Sequence, residues 1–223
     1  MTIIKICGIK TLSEARAAVE AGADFLGFNF FPKSVRFIEI QNFIRIASVM
    51  KKENPSIKLV GVFVNSSPDE IRSLLEIRAL DLAQMHGDES PEFCASFGNK
   101  AFKAYRGVPE IVARAYIRNE APALLVDAGV KGAYGGTGIT ADWPAAAKLA
   151  KQYPLLLAGG LNPENVAEAV KQVNPWGVDV ASGVESSPGK KDTGKMRSFI
   201  QAVHSMQQPA RQQITNGKYL EKL

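Results

Sequence analysis

A chain of 223 residues, 46% hydrophobic and 22% charged, has enough apolar material for a full core and too little charge for a disordered segment. Its net charge of +5 is spread along the chain without a basic block, which favours small anionic ligands over nucleic acid. No apolar run approaches the roughly 18 residues of a membrane span, and two cysteines without CxxC or histidine spacing argue against a disulfide framework or a metal site.

The N-terminal MTIIKICGIK has lysines inside its apolar run and no signal-peptide layout, so a cytoplasmic protein is expected. A strand beginning at Ile3 ends at Gly8, which leaves the Cys7 thiol at its tip. Thr11 and Glu14 have the spacing of a capping box, for a helix that Gly22 should close. A second strand begins near Phe25, and a long connection over 31–39 carries Arg36. The third begins near Lys58. Ser67 and Glu70 repeat the capping spacing, with Pro68 at the first helical position.

The fourth strand begins near Leu80 and runs to His86 in QMHGDE; Ser90 and Pro91 start the next helix. Cys94 in that helix reads as a small buried hydrophobe. Strands five and six begin near Ala101 and Pro122, and the sixth ends at Asp127 in ALLVDAG. Burying an unpaired aspartate at the end of an apolar strand is costly, which points to chemistry there. A second long, glycine-bearing connection covers 128–141. Strand seven, from Leu155, ends at Gly159 and Gly160, before a helix opened by Asn162 and Pro163. Strand eight, from Gly177, ends at Ser182 and Gly183. His204 in the last helix should face solvent, and 207–223 read as a polar tail.

The strand starts are spaced 22, 33, 22, 21, 21, 33 and 22 residues apart. Eight strand–helix units of such regularity predict parallel strands closed into a single (β/α)₈ TIM barrel over residues 1–206. An open dinucleotide fold would want GxGxxG after the first strand, where this chain has CGIKTL. In a barrel the strand-to-helix loops build the active site, so the two long connections are either substrate-covering loops or tolerated insertions. Glycine pairs on the tips of strands seven and eight suit a phosphate cradle, because backbone N–H groups can approach an anion there.

Alternation places Lys5 on the face of Cys7, and Asp179 on that of Gly183. A Lys5–Asp179 ion pair inside the barrel is therefore expected, with Lys103 in the same layer. A cation below Cys7 should favour its thiolate.

The blocks KICGIK (5–10), FFPKSVRF (30–37), GVFVN (61–65), QMHGDE (84–89), VDAG (126–129), YGGTG (134–138), LAGGLNPENV (157–166) and GVDVASGVE (177–185) together resemble phosphoribosylanthranilate isomerase of tryptophan biosynthesis. The resemblance implies an Amadori rearrangement of an aminoaldose phosphate, without cofactor or metal. It implies that Asp127 is the general acid opening the ribose ring and Cys7 the general base at C2. Arg36 matches the arginine near the anthranilate group. Substrate contacts are expected from Arg36, His86, Gly159, Gly160, Asp179, Ser182 and Gly183. The substrate is a small phosphorylated molecule, with neither nucleic acid nor membrane as partner, and the protein a monomer or homodimer. Val35 stands where relatives often have proline, and no role passes to Lys131 or Tyr134. A histidine-pathway or bifunctional isomerase on the same barrel, or a non-catalytic phosphate-binding barrel, are the alternatives. The histidine-pathway enzyme resembles this chain but has aspartate where Cys7 stands.

Overall fold

In the computed structural model, which describes residues 1–109, 121–127 and 142–206, the apolar runs form eight parallel strands. These are β1 (Ile3–Cys7), β2 (Phe25–Asn29), β3 (Lys58–Phe63), β4 (Leu82–Met85), β5 (Ala101–Arg106), β6 (Leu124–Asp127), β7 (Leu155–Leu157) and β8 (Gly177–Val180). Each strand pairs with the next, and β8 returns to β1, so the sheet closes as the expected barrel. The helices are α1 (Leu12–Ala21), α2 (Ile40–Glu53), α3 (Pro68–Glu76), α4 (Pro91–Ala95), α5 (Trp143–Ala150), α6 (Val166–Val173) and α7 (Thr193–Ser205).

Six strands begin where the sequence places them; β4 and β6 begin two residues later, each for a local reason. At the foot of β4 the Asp81 carboxylate accepts from the Leu59 amide (2.8 Å) and from Lys51 Nζ (2.9 Å), so Leu80 belongs to the turn. At β6, Pro122 has no N–H to give to a ladder, and pairing starts at Leu124.

The caps explain where several helices start. Thr11 and Glu14 form both halves of a capping box, and Gly22 closes α1 at φ 108°. Ser67 accepts from the Glu70 amide at 3.3 Å, without the reciprocal bond among the described contacts. Ser90 caps α4 in the same way. The helix expected at Pro163 begins instead at Val166. Asn162 Oδ1 accepts from the amides of Glu164 and Asn165, so it caps a separate turn ahead of α6.

Strand alternation splits the apolar side chains into two bodies. Phe25, Val60, Leu82, Phe102, Ala104, Leu125, Leu156 and Ala158 fill the barrel lumen, and a larger cluster lies between strands and helices. Because Phe102 and Ala104 point inward, Lys103 between them points outward. Its ammonium donates to Glu89 Oε2 at 2.7 Å and to the Gly87 carbonyl at 2.6 Å. The expectation that Lys103 shares a layer with Lys5 is thus overturned by the period of two.

One element was not foreseen. After β8 the chain makes a short 3₁₀ turn (Ser182–Val184) and an antiparallel hairpin, β9 (Glu185–Ser187) and β10 (Lys190–Lys191), before α7. Residues 30–39 form the long connection after β2, held by a bridge between Asn29 and Phe37. Cys94 is buried and His204 exposed, as expected. The connection at 128–141 and the tail at 207–223 lie outside the described residues.

Candidate active site

The C-terminal strand ends converge on a cleft of about 320 Å³, counting its open mouth. Asp127, Gly159, Gly160, Asp179 and Ser182 all line it. Gly159 and Gly160 turn the chain at φ 93° and 67°, conformations that cost other residues free energy. Neither of their amides donates to another described group, so both are available to an anion. The turn is tied down by Asn162, which the sequence analysis read as a helix start, and by Asn165, which it did not single out. Asn165 Nδ2 donates to the Gly160 carbonyl, and Asn165 Oδ1 accepts from the Asn162 amide, both at 2.9 Å.

Gly183 acts differently from Ser182. It is not part of the cleft wall; a Cβ there would run into the Leu161 carbonyl. The loops after β7 and β8 therefore press backbone against backbone, and Gly183 shapes the cradle from behind.

Below the cleft, Lys5 and Asp179 are register partners on β1 and β8. Lys5 is fully buried, and its Nζ donates to Asp179 Oδ1 at 2.9 Å, as the alternation argument anticipated. Cys7 sits one inward position above Lys5. A Cβ on Gly27 would meet Cys7 Sγ at 2.7 Å and Lys5 Nζ at 3.1 Å, so sulfur and ammonium share one glycine-lined niche. The expected thiolate is not what this niche favours on balance. Burial pushes the Cys7 thiol above its ordinary value, and the Lys5 and Lys191 ammonium groups offset only part of that.

His86 follows β4 directly. Its Nδ1 is 3.1 Å from the side-chain nitrogen of Gln84, and its Nε2 is 3.4 Å from Asp127 Oδ2. The structure thus brings His86 against the candidate acid. Gln84 lies inward on the same strand, two residues before His86 and on its face.

Arg36 reaches the site along the β2–α2 connection, its stem lying flat over Gly8 beside Cys7. Its guanidinium is held in a two-pronged bond by Glu185, Nε to Oε1 at 2.7 Å and Nη2 to Oε2 at 2.8 Å. Lys191 Nζ also donates to Glu185 Oε1 (2.9 Å) and to the Ala181 carbonyl (2.8 Å). Glu185 therefore ties the β2–α2 connection to the β9–β10 hairpin. Burial alone would raise its carboxyl value, but Arg36 and Lys191 outweigh this and hold it below the usual range. Two cations against one carboxylate leave a surplus positive charge beside Cys7. Glu185 and Lys191 escaped the sequence analysis because GVESSPGKK looks like an ordinary solvated turn; its one cue is the Pro-Gly pair flanked by opposite charges.

The model of the N-(5′-phosphoribosyl)anthranilate (PRA) isomerase family matches residues 4–202. N-(5′-phosphoribosyl)anthranilate isomerase of Myxococcus xanthus is 45% identical over 208 residues, 91% of this chain and 96% of that protein. The crystal structure of phosphoribosyl anthranilate isomerase from Thermotoga maritima superposes with a TM-score of 0.79 at 35% identity, covering 92% of this chain and 100% of that one. A structure of phosphoribosyl anthranilate isomerase in complex with reduced 1-(o-carboxyphenylamino)-1-deoxyribulose 5-phosphate superposes with a TM-score of 0.75 at 35% identity over the same shares. With a closed barrel, the family model over residues 4–202 and a relative 45% identical over 96% of its own length, the chain belongs to the N-(5′-phosphoribosyl)anthranilate isomerase family.

Proposed function

We propose that this chain converts N-(5′-phosphoribosyl)anthranilate into 1-(2-carboxyphenylamino)-1-deoxyribulose 5-phosphate, with Asp127 as general acid and Cys7 as general base. The observation that carries this reading is the convergence of an inward aspartate and an anion-ready glycine turn in one cleft, with an inward thiol on β1, beyond β7 and β8 around the mouth.

Gly159, Gly160 and Ser182 hold the 5′-phosphate, with Gly183 fixing the shape of that cradle. The sugar then lies across the mouth between β6 and β1. Asp127 gives its proton to the ring oxygen, the C1–O bond breaks, and the anilino nitrogen lone pair forms the Schiff base. Cys7 thiolate takes the proton from C2, and the electron pair moves to give an enolamine. Tautomerisation to the ketone and return of both protons complete an isomerisation that consumes nothing. A raised thiol value makes the thiolate rarer at neutral pH but a stronger base toward a C–H bond. Lys5, paired with Asp179 below, supplies the cation that partly counters burial.

Arg36 serves the anthranilate carboxylate. Its Nε edge is taken by Glu185, so the carboxylate meets the remaining Nη1 end, where the surplus charge of the Arg36–Glu185–Lys191 cluster calls for an anion. His86 contacts the reacting end through its position beside Asp127. The protein works in the cytoplasm on this small phosphorylated substrate, as a monomer or homodimer; no described helix is long and apolar enough to cross a membrane.

The test is turnover of phosphoribosylanthranilate by the unmodified protein, Cys7→Ala and Asp127→Asn. Acid–base groups contribute about 10²–10⁴ in rate, so both variants should lose well over tenfold. Near-normal turnover in either removes that residue from its role, and inactivity of the unmodified protein sinks the reading.

A further inference from the structure

Gln84 and His86 are two residues apart on one face of β4 and its tip, and both are buried, at 1% and 8% exposure. The Gln84 side-chain nitrogen lies 3.1 Å from His86 Nδ1. With the Gln84 amide nitrogen, a donor, facing His86, Nδ1 offers its lone pair and the ring proton resides on Nε2. That Nε2 is 3.4 Å from Asp127 Oδ2 and has no hydrogen-bond partner among the described residues.

The other described charged groups around Asp127 leave this place to His86. Arg106 on β5 is its register partner, but Arg106 Nη2 is engaged by Asp88 at 2.7 Å. Asp179 on β8 is paired with Lys5 on β1. Cys7 tops β1, and the described residues after β7 present no charge there, only Ala158, Leu161 and the backbone of the glycine turn.

We infer that Gln84 is a positioning residue that selects the Nε2–H tautomer of His86 and aims that N–H at Asp127. This rests on the acid role of Asp127 proposed above. When the Asp127 O–H bond breaks and its proton passes to the sugar ring oxygen, the electron pair stays on the carboxylate. His86 Nε2–H then closes from 3.4 Å onto that new charge as a donor, and no proton leaves the imidazole. The opposite tautomer would turn a lone pair toward the same carboxylate and oppose the step. Second-residue control of which ring nitrogen carries the proton is a general way to set what a histidine can do.

The chain contains two histidines, His86 and His204, which makes the tautomer directly measurable. The protein is labelled with ¹⁵N-histidine, and long-range ¹H–¹⁵N correlations are recorded; His204→Gln assigns the exposed ring. The unmodified protein should show His86 as Nε2–H. Gln84→Glu, whose carboxylate can only accept, should move the proton to Nδ1, and Gln84→Met, which offers neither donor nor acceptor of that kind, should give a mixture. With the tautomer inverted, kcat should fall by about tenfold or more with little change in KM, the effect expected for a hydrogen bond to a charge formed in the transition state. An Nδ1–H ring in the unmodified protein, or a tautomer that neither substitution moves, overturns the assignment. A tautomer that inverts while kcat stays level overturns the positioning role and leaves Asp127 untouched. Normal turnover in Asp127→Asn sinks the acid reading while the tautomer result stands. If Gln84→Glu does not fold, Gln84→Met decides by the same two readouts.

Discussion

Replacing Lys5 by methionine keeps the length of the side chain and removes its charge from the centre of the barrel. Lys5 is fully buried, and Asp179 has no other described hydrogen bond, so the substitution strands a carboxylate. Breaking a buried pair from one side costs about 3–5 kcal/mol. Asp179 also lines the cleft, where solvent relieves part of the burden, so the lower end, about 3 kcal/mol, is the expected loss. For a chain of this size that corresponds to a fall in Tm of roughly 6–12 °C. Thermal unfolding followed by circular dichroism at pH 7 measures it, and Lys5→Met/Asp179→Asn should regain at least half. The pH dependence has a definite sign. Burial would lower the Lys5 value, yet Asp179, with Cys7, outweighs it, and the ammonium ends above its ordinary 10.5. A raised lysine contributes fully below that ordinary value and loses its contribution as pH climbs through the folded one. The gap between the unmodified protein and Lys5→Met should therefore stay constant from pH 7 to 9 and narrow only above about 10.5. A single variant within about 1 kcal/mol of the parent, or a double variant less stable than the single, would refute the argument.

Three further outcomes are expected. Alkylation of Cys7, followed by peptide mapping, should lag behind a free thiol at pH 7–8 and accelerate only above the ordinary 9.0, while Cys94, pushed by burial to about 11, stays inert longer. Glu185→Gln should raise KM for phosphoribosylanthranilate more than it lowers kcat, since Arg36 loses its anchor; and because the Glu185 value is depressed, its stabilising contribution exists above the ordinary 4.5 and should vanish in denaturation curves as pH falls through the folded value. Gly183→Ala must separate the loops after β7 and β8, so inhibition by inorganic phosphate and substrate affinity should both weaken by about tenfold or more, with a loss of about 1–3 kcal/mol in stability.

How much of this was legible in the sequence depended on how far each signal reached. Strand positions, the Thr11 box and the Gly22 cap are local and depend on neighbours within a few residues, so the sequence analysis found them. The Lys5–Asp179 pair spans 174 residues yet followed from alternation together with the adjacency of first and last strands in a closed barrel. The same alternation, applied to β5, would have sent Lys103 outward; placing it in the Lys5 layer ignored the period. Asn165, Glu185 and Lys191 act through contacts between loops whose approach no periodicity describes. The balance at Cys7 was also out of reach. A lysine nearby is visible in sequence, but the greater effect of burial appears only once the niche beside Gly27 exists.

Barrel closure has a consequence for how the protein comes to be made. Lys5 is synthesised well before its partner Asp179, which follows 174 residues later. Until β8 arrives, the open edge of β1 has lost no backbone bonds it could form, but it carries an ammonium destined for the interior. The incoming strand brings the ladder and the counter-charge together, and α7, which packs on α1, then seals the seam. A nascent chain halted before β8 thus presents both an unpaired strand edge and an uncompensated cation, two features that favour chaperone capture and disfavour premature collapse. The ion pair beneath Cys7 is thereby also a latch: it joins the first and last strands of the barrel at the moment the sheet closes.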